Sequence, residues 1–421
     1  MGFMRLPTDL TLARARQHAY EIPLEEIDVS DWLLFEQDTH WPYFERLRHE
    51  APVHFCAHGR HGPYWSITRF HDIKYVDAHH ELFSSDTNVA ITDQPLDFTT
   101  PMFIAMDQPK HHEQRKVVNP VLAPRNLKAM EDTIRMAAGD ILDGLPLGET
   151  FNWVERVSIE LTTRMLATIL GFPYEERHKL TRWSDVASGG TLTGVVESRE
   201  QRHRELLECL ARFTELWHER AAQEPGIDLI SMLAHGSATR GLLSRPMEYL
   251  GNLLLLIVGG NDTTRNSISG GVLALNTWPD EYQKLRDNPG LIPNMAAEII
   301  RWQTPLTHMR RTAITDIELG GQQIHQGDKV VMWYISGNRD EEVFEDADRL
   351  IIDRPNARHH VSFGYGIHRC MGNRLAEMQL RIVWEEILAR FHTVEVVGEP
   401  VRLRSNLLKG YSELPVRLHA N

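Results

Sequence analysis

Residues 363–372 read Phe-Gly-Tyr-Gly-Ile-His-Arg-Cys-Met-Gly and place one cysteine, Cys370, in a glycine-rich loop. A helical pattern follows at once, with apolar residues at helical spacing between Asn373 and Ile387. A thiol at the start of a helix is placed to ionise, because the helix N-terminus favours negative charge and offers unpaired N–H groups. The loop glycines allow positive φ angles and let a flat ligand approach the backbone closely. The stretch therefore predicts a thiolate presented to a ligand; the alternative is a buried free cysteine beside a turn.

The pattern of this loop, Phe-x-x-Gly-x-His-x-Cys-x-Gly, resembles the haem-binding loop of the cytochromes P-450. A thiolate held under N–H groups is an axial ligand that a haem iron takes. The resemblance implies haem b (iron protoporphyrin IX) with Cys370 as the axial ligand of its iron, in a loop shaped by Phe363, Gly364 and Gly372. It also implies the cytochrome P-450 fold, mainly α with a minor β portion, and monooxygenase activity with O2 as co-substrate.

Composition is ordinary for a soluble enzyme and argues against one class of partner. The chain has 421 residues, of which 42% are hydrophobic and 24% charged. A net charge of −13 and a pI near 5.9 argue against nucleic acid as a partner. The three cysteines, Cys56, Cys209 and Cys370, are odd in number and far apart, so they form no disulfide framework and fit a reducing cytosol. We expect a cytoplasmic protein.

The N-terminal segment carries no targeting or membrane signal. Charged residues between Arg5 and Arg16 interrupt its apolar runs, and the longest apolar run of the chain, residues 253–258, is too short to cross a bilayer. We therefore expect no membrane anchor, and the resemblance then points to a bacterial type with a separate electron donor. Without repeats or low-complexity linkers, we expect one domain over residues 1–421, with an extended lead-in over about 1–35.

Helical periodicity dominates the chain. Helices are predicted over residues 38–51, 70–78, 126–145, 153–170, 174–188, 197–223 and 246–277. Strands, with intervening turns, are predicted over residues 53–55, 64–67, 311–319, 323–324, 330–334, 394–397 and 401–418. Residues 84–106 have no clear period, and the resemblance makes them the loop over the haem that carries substrate contacts. The glycine-rich stretch 189–194 predicts either a lid hinge or a plain interhelical turn.

The longest helical pattern carries an acid–alcohol pair. Gly259 and Gly260 cost about 1 kcal/mol each relative to alanine, which a buried helix accepts where something must lie close to its backbone. Asp262 and Thr263 would then lie in an apolar interior, where an unpaired carboxylate is costly. Residues 259–264 resemble the oxygen-binding groove of the P-450 family, with Gly259 in place of the usual alanine and a slightly wider cleft. The resemblance makes Thr263 a hydrogen-bond donor to dioxygen and Asp262 a relay for protons; a helix kink with capping residues is the alternative.

Glu298 and Arg301 lie one helical turn apart, well before the cysteine loop. A surface pair at this spacing contributes only about 0.2–0.5 kcal/mol, so the bare pattern is weak. Its position in the chain resembles the Glu-x-x-Arg helix of P-450 proteins, whose role is structural. The third member of that ion cluster would be Arg349 or Arg354.

Haem propionates carry two negative charges and need cations, among which arginine is favoured by its fork geometry. The stretch Asp-Gln-Pro-Lys-His-His-Glu-Gln-Arg resembles a family pattern that assigns His111 and Arg115 to this role. Arg311 resembles the propionate-binding arginine of the following strand, with Arg310 as the alternative, and His368 is the fourth cation. Each could instead be a solvated surface charge. The 22 histidines lack zinc-type spacing, so we expect no zinc site.

Residues 259–267, 309–312 and 363–374 look like one bacterial branch, which hydroxylates the terminal carbon of medium-chain alkanes and fatty acids. The predicted pocket walls are Leu96, Phe98, Met102, Phe103, Leu256, Gly259, Leu306, Thr307 and Leu407, completed by Leu408 and the region of Leu192. Three alternatives stay open: a terpene or alicyclic hydroxylase, a peroxygenase (against which the acid–alcohol pair argues) and a haem-binding sensor without turnover.

The implied electron donor is a [2Fe–2S] ferredoxin, reduced by an NAD(P)H-dependent ferredoxin reductase. It would dock on the face of the cysteine loop, where Arg369, Arg374 and Lys116 are cationic despite the acidic total. Electrostatic steering then predicts a strong salt dependence of reduction.

Overall fold

Helices make up most of this chain, as predicted. A computed structural model describes residues 3–8, 10–86, 88–189, 193–237, 239 and 241–421. The structure is 53% helical and 12% strand, which confirms a mainly α fold with a minor β portion.

The helices are α1 Leu12–Glu21, α2 Trp32–Glu36, α3 Trp41–Glu50, α4 Phe70–Ala78, α5 Lys110–Val118, α6 Pro124–Asp143, α7 Glu160–Leu170, α8 His178–Gly189, α9 Arg199–Ala221, α10 Leu229–His235, α11 Pro246–Thr277, α12 Pro279–Asp287, α13 Ile292–Gln303, α14 Tyr334–Gly337 and α15 Asn373–Arg390. A π-helical segment, Val154–Ile159, runs directly into α7. Short 3₁₀ helices are Leu24–Glu26, Phe103–Ala105, Asn119–Leu122, Tyr174–Glu176, Pro289–Leu291, Ala357–His359 and Gly366–His368.

The strands are β1 Val53–Cys56, β2 Tyr64–Ile67, β3 Phe83–Ser84, β4 Thr150–Asn152, β5 Met309–Ala313, β6 Ile317–Leu319, β7 Gln322–Ile324, β8 Lys329–Met332, β9 Phe391–Val396, β10 Val401–Arg402, β11 Tyr411–Glu413 and β12 Pro415–Ala420. The largest sheet has the order β1-β2-β8-β5-β3, with β2 and β8 parallel and its other pairs antiparallel. A second sheet has the order β4-β12-β9, and β6–β7 and β10–β11 form separate pairs. The strands predicted over residues 53–55 and 64–67 are confirmed, and they pair as an antiparallel hairpin.

Helix α11 crosses the interior and has the predicted bounds. Its first half contributes Leu253 and Ile257 to an apolar cluster shared with α8, α9 and α10. Its second half contributes Ile268 and Val272 to a cluster shared with α6, α13 and α15. The polar run 259–267 therefore lies where the two clusters meet, at the centre of a buried helix.

Local signals explain several helix ends. The Ser198 side chain accepts a hydrogen bond from the Gln201 N–H at 3.1 Å and starts α9, because it satisfies a donor that the first turn leaves open. Gly171 ends α7 with a φ of 67°, the left-handed conformation that glycine adopts without penalty.

Three predicted segments differ in the structure. The lead-in over residues 1–35, expected to be extended, contains α1 and α2, because the side chains of Thr11 and Asp31 cap these helices. The predicted strand over residues 311–319 is two strands, β5 and β6, separated by a bend. The proposed hinge stretch 189–194 includes residues 190–192, which lie outside the described part of the chain.

Candidate active site

The cysteine loop is held by two left-handed glycines and one backbone hydrogen bond. Gly364 and Gly366 have φ angles of 66° and 65°. The Cys370 N–H donates to the Phe363 carbonyl at 2.7 Å, which closes the loop just before α15 begins at Asn373. The loop thus follows the predicted path.

The Cys370 sulfur lies beneath the start of α15. It is a free thiol with a solvent-accessible face, while protein atoms surround its other sides. This burial raises the thiol pKa, against the opposing effects of the Gly372 and Asn373 N–H groups and of the Arg115 charge. These donors are the groups that stabilise a thiolate once a cation binds to it.

A basic cluster lies beside the loop and joins α5 to it. The rings of His111 and His368 have centroids 4.2 Å apart. Burial, helped by nearby positive charges, lowers the pKa of His111 to about 4 and that of His368 to about 2. Among the described residues, neither ring nitrogen of either histidine has a hydrogen-bond partner. Arg115 reaches the same place and donates to the Arg369 carbonyl.

Arg311 is the buried arginine of this cluster, and it is ion-paired. Its Nη2 donates to Asp77 Oδ1 at 2.6 Å, and both side chains are almost fully buried. The alternative candidate, Arg310, pairs instead with Asp93 on residues 84–106. Arg311, rather than Arg310, therefore acts together with Arg115 to lower the pKa values of the two histidines.

These residues fit a haem. Four buried nitrogens without partners are costly, because such groups are normally hydrogen-bonded. The two carboxylates of a haem would supply acceptors and negative charge where His111, His368, Arg115 and Arg311 converge. A thiol under two N–H groups would supply the iron ligand on the same loop as His368.

Gly259 and Thr263 form an opening in the otherwise buried helix α11. Gly259 is exposed, and a Cβ added there would meet no atom within 4 Å. The Thr263 hydroxyl donates to the Gly259 carbonyl at 2.9 Å, so its oxygen remains free to accept. In this arrangement Thr263 would have to rotate its hydroxyl before it could donate as expected.

Asp262 is fully buried beside this opening. Its Oδ1 accepts from the Ser184 hydroxyl at 3.0 Å and lies 3.0 Å from Arg265 Nη2. Arg265 also pairs with Asp185 of α8 at 2.9 Å. Burial raises the pKa of Asp262, against the pull of the Arg265 guanidinium. Sequence reasoning missed Arg265, although an arginine three residues after an aspartate in an apolar helix was a usable signal.

Glu298 and Arg301 form a fully buried ion pair, with Nε–Oε2 and Nη2–Oε1 distances of 2.7 and 2.8 Å. Arg354 completes the cluster, because its Nε lies 3.1 Å from Glu298 Oε1. The Arg349 side chain turns outward to Asp280 and contributes only its carbonyl. The structure thus decides between the two arginines that the sequence left open.

The predicted pocket residues are only partly brought together. Phe103 and Leu256 line a cavity of about 540 Å³ between α5, α10 and α11, and Met102 precedes Phe103 in the chain. Leu306 forms a bridge with Leu408, and the Thr307 N–H donates to the Leu407 carbonyl at 2.9 Å.

The prediction that Leu96 lines the pocket is wrong. Leu96 is 96% exposed and lines no enclosed wall, because it lies on the outside of a turn closed by the Phe98 N–H and the Pro95 carbonyl. Phe98 stacks on His203 of α9, with ring centroids 4.0 Å apart. Leu192 lies outside the described residues.

Three features define the haem-thiolate class of protein: a thiol at a helix start, two adjoining histidines whose ring nitrogens have no partner among the described residues, and an acid–alcohol pair on the central helix. A family model described as Cytochrome P450 matches residues 290–410. Linalool 8-monooxygenase of Pseudomonas putida is 38% identical over 406 residues, covering 94% of this chain and 99% of its own.

Two solved structures agree with this class. Cytochrome P450-153 from Novosphingobium aromaticivorans is 45% identical with a TM-score of 0.86, covering 93% of this chain and 99% of its own. CYP153D17 from Sphingomonas sp. PAMC 26605 is 48% identical with a TM-score of 0.88, and the match covers 93% of this chain and 98% of that protein. The chain belongs to the cytochrome P-450 family and is a monooxygenase with a haem-thiolate cofactor. No helix in the described ranges is long and apolar enough to cross a membrane.

Proposed function

We propose that the protein inserts one oxygen atom of O2 into an unactivated C–H bond, by terminal hydroxylation of medium-chain alkanes or fatty acids. The net reaction consumes the substrate, O2, two electrons and two protons, and it yields an alcohol and water. The observation that carries the oxygen insertion is the Asp262–Thr263 pair, set beside the opening at Gly259 in a buried helix. The substrate class rests on the sequence resemblance to the terminal hydroxylase branch.

Cys370 would hold haem b through its thiolate, and His111, Arg115, Arg311 and His368 would hold the propionates. The cysteine loop would be kept close to the porphyrin ring by Phe363, Gly364 and Gly372. When bound, the haem supplies the reductive activation of O2 and the oxidising power that breaks the C–H bond.

Asp262 and Thr263 would move the protons. The raised pKa of Asp262 favours a carboxyl group that holds a proton nearer to neutral pH than an exposed aspartate does. Ser184 of α8 and Arg265, one turn further along α11, orient this carboxylate. Rotation of the Thr263 hydroxyl away from the Gly259 carbonyl would pass a proton into the opening, and Asp262 would replace it.

Product analysis tests the reaction. With ferredoxin, ferredoxin reductase and NADH, we expect octane to give 1-octanol and dodecanoate to give the ω-hydroxy acid. Thr263→Ala should keep consuming NADH while forming less alcohol per NADH. Thr277→Ala is the matched control, because Thr277 makes the same bond to the carbonyl four residues earlier, 2.9 Å long, on the same helix. A Thr263→Ala protein with full product yield would contradict the proton-delivery role.

A terpene hydroxylase of the same family is the second candidate, favoured by the 38% identity to linalool 8-monooxygenase. A titration that follows the haem absorption shift separates the two candidates. Saturation by octane or dodecanoate, with no shift by linalool, supports the first; the reverse supports the second. Binding without any product from either class would favour a sensor.

The electron donor that we propose is a [2Fe–2S] ferredoxin. Arg369, Arg374 and Lys116 are exposed, and Arg369 is adjacent to Cys370 in the chain. This set of cations supports docking of an acidic partner on the face of the cysteine loop.

A further inference from the structure

Asp77, at the end of α4, collects donors from three parts of the haem site and was not marked by any motif. Its side chain is 2% exposed. Oδ1 accepts from Arg311 Nη2 at 2.6 Å. Oδ2 accepts from the Tyr334 hydroxyl at 2.9 Å and from the Tyr365 N–H at 2.7 Å. One carboxylate thus bridges strand β5, helix α14 and the cysteine loop.

The backbone around Asp77 fits closely against the same loop. A Cβ on Gly366 would lie 2.4 Å from the Asp77 carbonyl oxygen, and one on Gly364 would lie 3.1 Å from its Oδ2. Lys74, one turn earlier on α4, lies 4.4 Å from the centre of the Tyr365 ring. The end of α4 therefore supports both left-handed glycines and the residue between them.

We propose that Asp77 is a positioning residue of the haem site, which fixes Arg311 and the cysteine loop relative to each other through one carboxylate. Its negative charge also compensates the buried Arg311 charge, so the field at the propionates is less positive than Arg311 alone would make it. This inference rests on a haem-thiolate centre at Cys370 and is independent of the substrate.

Asp77→Asn keeps the shape of the side chain but removes its charge and turns an amide toward donors. The charge of Arg311 is then uncompensated, and the more positive environment of the haem stabilises its reduced form. We expect the reduction potential of the haem to rise and haem loss to become at least about tenfold faster, since hydrogen bonds to charged groups contribute about 1.5–3 kcal/mol. The measurements are redox titration of the holoenzyme and haem transfer to an excess of apomyoglobin.

Asp28→Asn is the matched control. Asp28 is also 2% exposed and accepts from the Tyr64 hydroxyl at 2.8 Å and the Arg60 N–H at 2.9 Å, but it contacts none of the haem-site residues named above. It should lower the unfolding free energy without moving the potential or the rate of haem loss. If Asp77→Asn behaves like Asp28→Asn, Asp77 is only structural and the proposal is wrong.

Tyr334→Phe serves where Asp77→Asn fails to fold. This variant removes the hydroxyl that donates to Asp77 and leaves the Asp77 charge in place, so the carboxylate compensates Arg311 more strongly. The reduction potential should therefore fall, by less than it rises in Asp77→Asn. An unchanged or raised potential in Tyr334→Phe would overturn the proposal. If the wild-type, carbon-monoxide-bound, reduced protein lacks the absorption of a thiolate-ligated haem, the proposed function fails first, independently of Asp77.

Discussion

Two buried polar clusters lie in this molecule, and they differ in how many of their hydrogen-bonding groups have partners within the chain. Arg301 uses all five of its N–H donors: three bonds go to Glu298 and the Arg349 carbonyl, and two go to the Asn338 and Ala347 carbonyls. The rings of His111 and His368 are also buried, yet their four nitrogens have no partner in the described residues.

The difference separates a structural cluster from a binding one. A buried charge with every donor used stabilises one arrangement of the chain and offers nothing to a ligand. Buried ring nitrogens without hydrogen-bond partners are costly unless a group from outside the chain completes them. We infer that the Glu298 cluster stabilises the fold, whereas the histidine cluster binds the haem carboxylates.

The largest effect should follow from breaking the satisfied cluster. Glu298→Gln leaves Arg301 and Arg354 buried beside a neutral group, and removing one partner of a buried pair costs about 3–5 kcal/mol. Urea unfolding should report that loss. Glu45→Gln is the control, because Glu45 makes a similar two-bond contact with Arg16 at the surface, where such pairs contribute about 0–1 kcal/mol. Equal losses in the two variants would remove the distinction.

The next effect should come from the unsatisfied cluster and should go to the cofactor. His368→Phe keeps a ring and removes two nitrogens that lack partners, so the haem-free protein should be no less stable than the wild type. Haem loss should become about 10- to 100-fold faster, because bonds to the charged propionates of about 1.5–3 kcal/mol disappear. Haem transfer to apomyoglobin and urea unfolding of the haem-free protein measure the two quantities. A destabilised protein with unchanged haem loss would mean that His368 is structural.

Site residues could be predicted from the sequence where all the residues of one functional group lie in a single short segment. Cys370 with its glycines, and Asp262 with Thr263, act as neighbours in the chain, so local spacing was enough to find them. Arg354 could not be chosen over Arg349, because both precede the cysteine loop on an irregular segment and only the tertiary path points one of them at Glu298.

Other features depend on contacts that no local pattern encodes. Asp77 meets Arg311 and Tyr365 across more than half of the chain length, so nothing near it marks its role. Leu96 was assigned to the pocket because it is apolar and lies in the right loop, but a turn directs its side chain outward. The two helices within the lead-in, α1 and α2, were missed because single capping side chains decide where short helices form.

Another buried histidine, His308, has a partner at each ring nitrogen, whereas His111 and His368 have none among the described residues. His308 is fully buried, its Nε2 accepts from the Ile91 N–H at 3.2 Å, and its Nδ1 lies 3.1 Å from the Asn406 carbonyl. Burial lowers its pKa from 6.5 to about 3.

His308 therefore binds a proton near pH 6.5 in the unfolded chain but only near pH 3 in the folded chain. Stability is fully present above pH 6.5 and falls as the pH drops toward 3, by up to about 1.4 kcal/mol per pH unit for this group. His308→Gln should flatten this slope in urea unfolding between pH 7.5 and 5, while haem loss stays as in the wild type. A slope that is unchanged in the variant would mean that His308 titrates normally in the folded protein.

The smallest effect should come from the exposed cations on the proposed ferredoxin face. Arg374 is exposed at the start of α15, on the proposed ferredoxin face. Arg374→Gln should slow reduction by ferredoxin about fivefold or less at low salt, because an exposed charge contributes about 1 kcal/mol at most. The difference should vanish near 1 M salt, where the screening length is about 3 Å. Arg417→Gln, an exposed change on the β4-β12-β9 sheet, is the control and should leave the rate unchanged. If stopped-flow reduction of the wild type is the same at low and high salt, the docking face is wrong, and the exposed cations of the cysteine loop serve solubility alone.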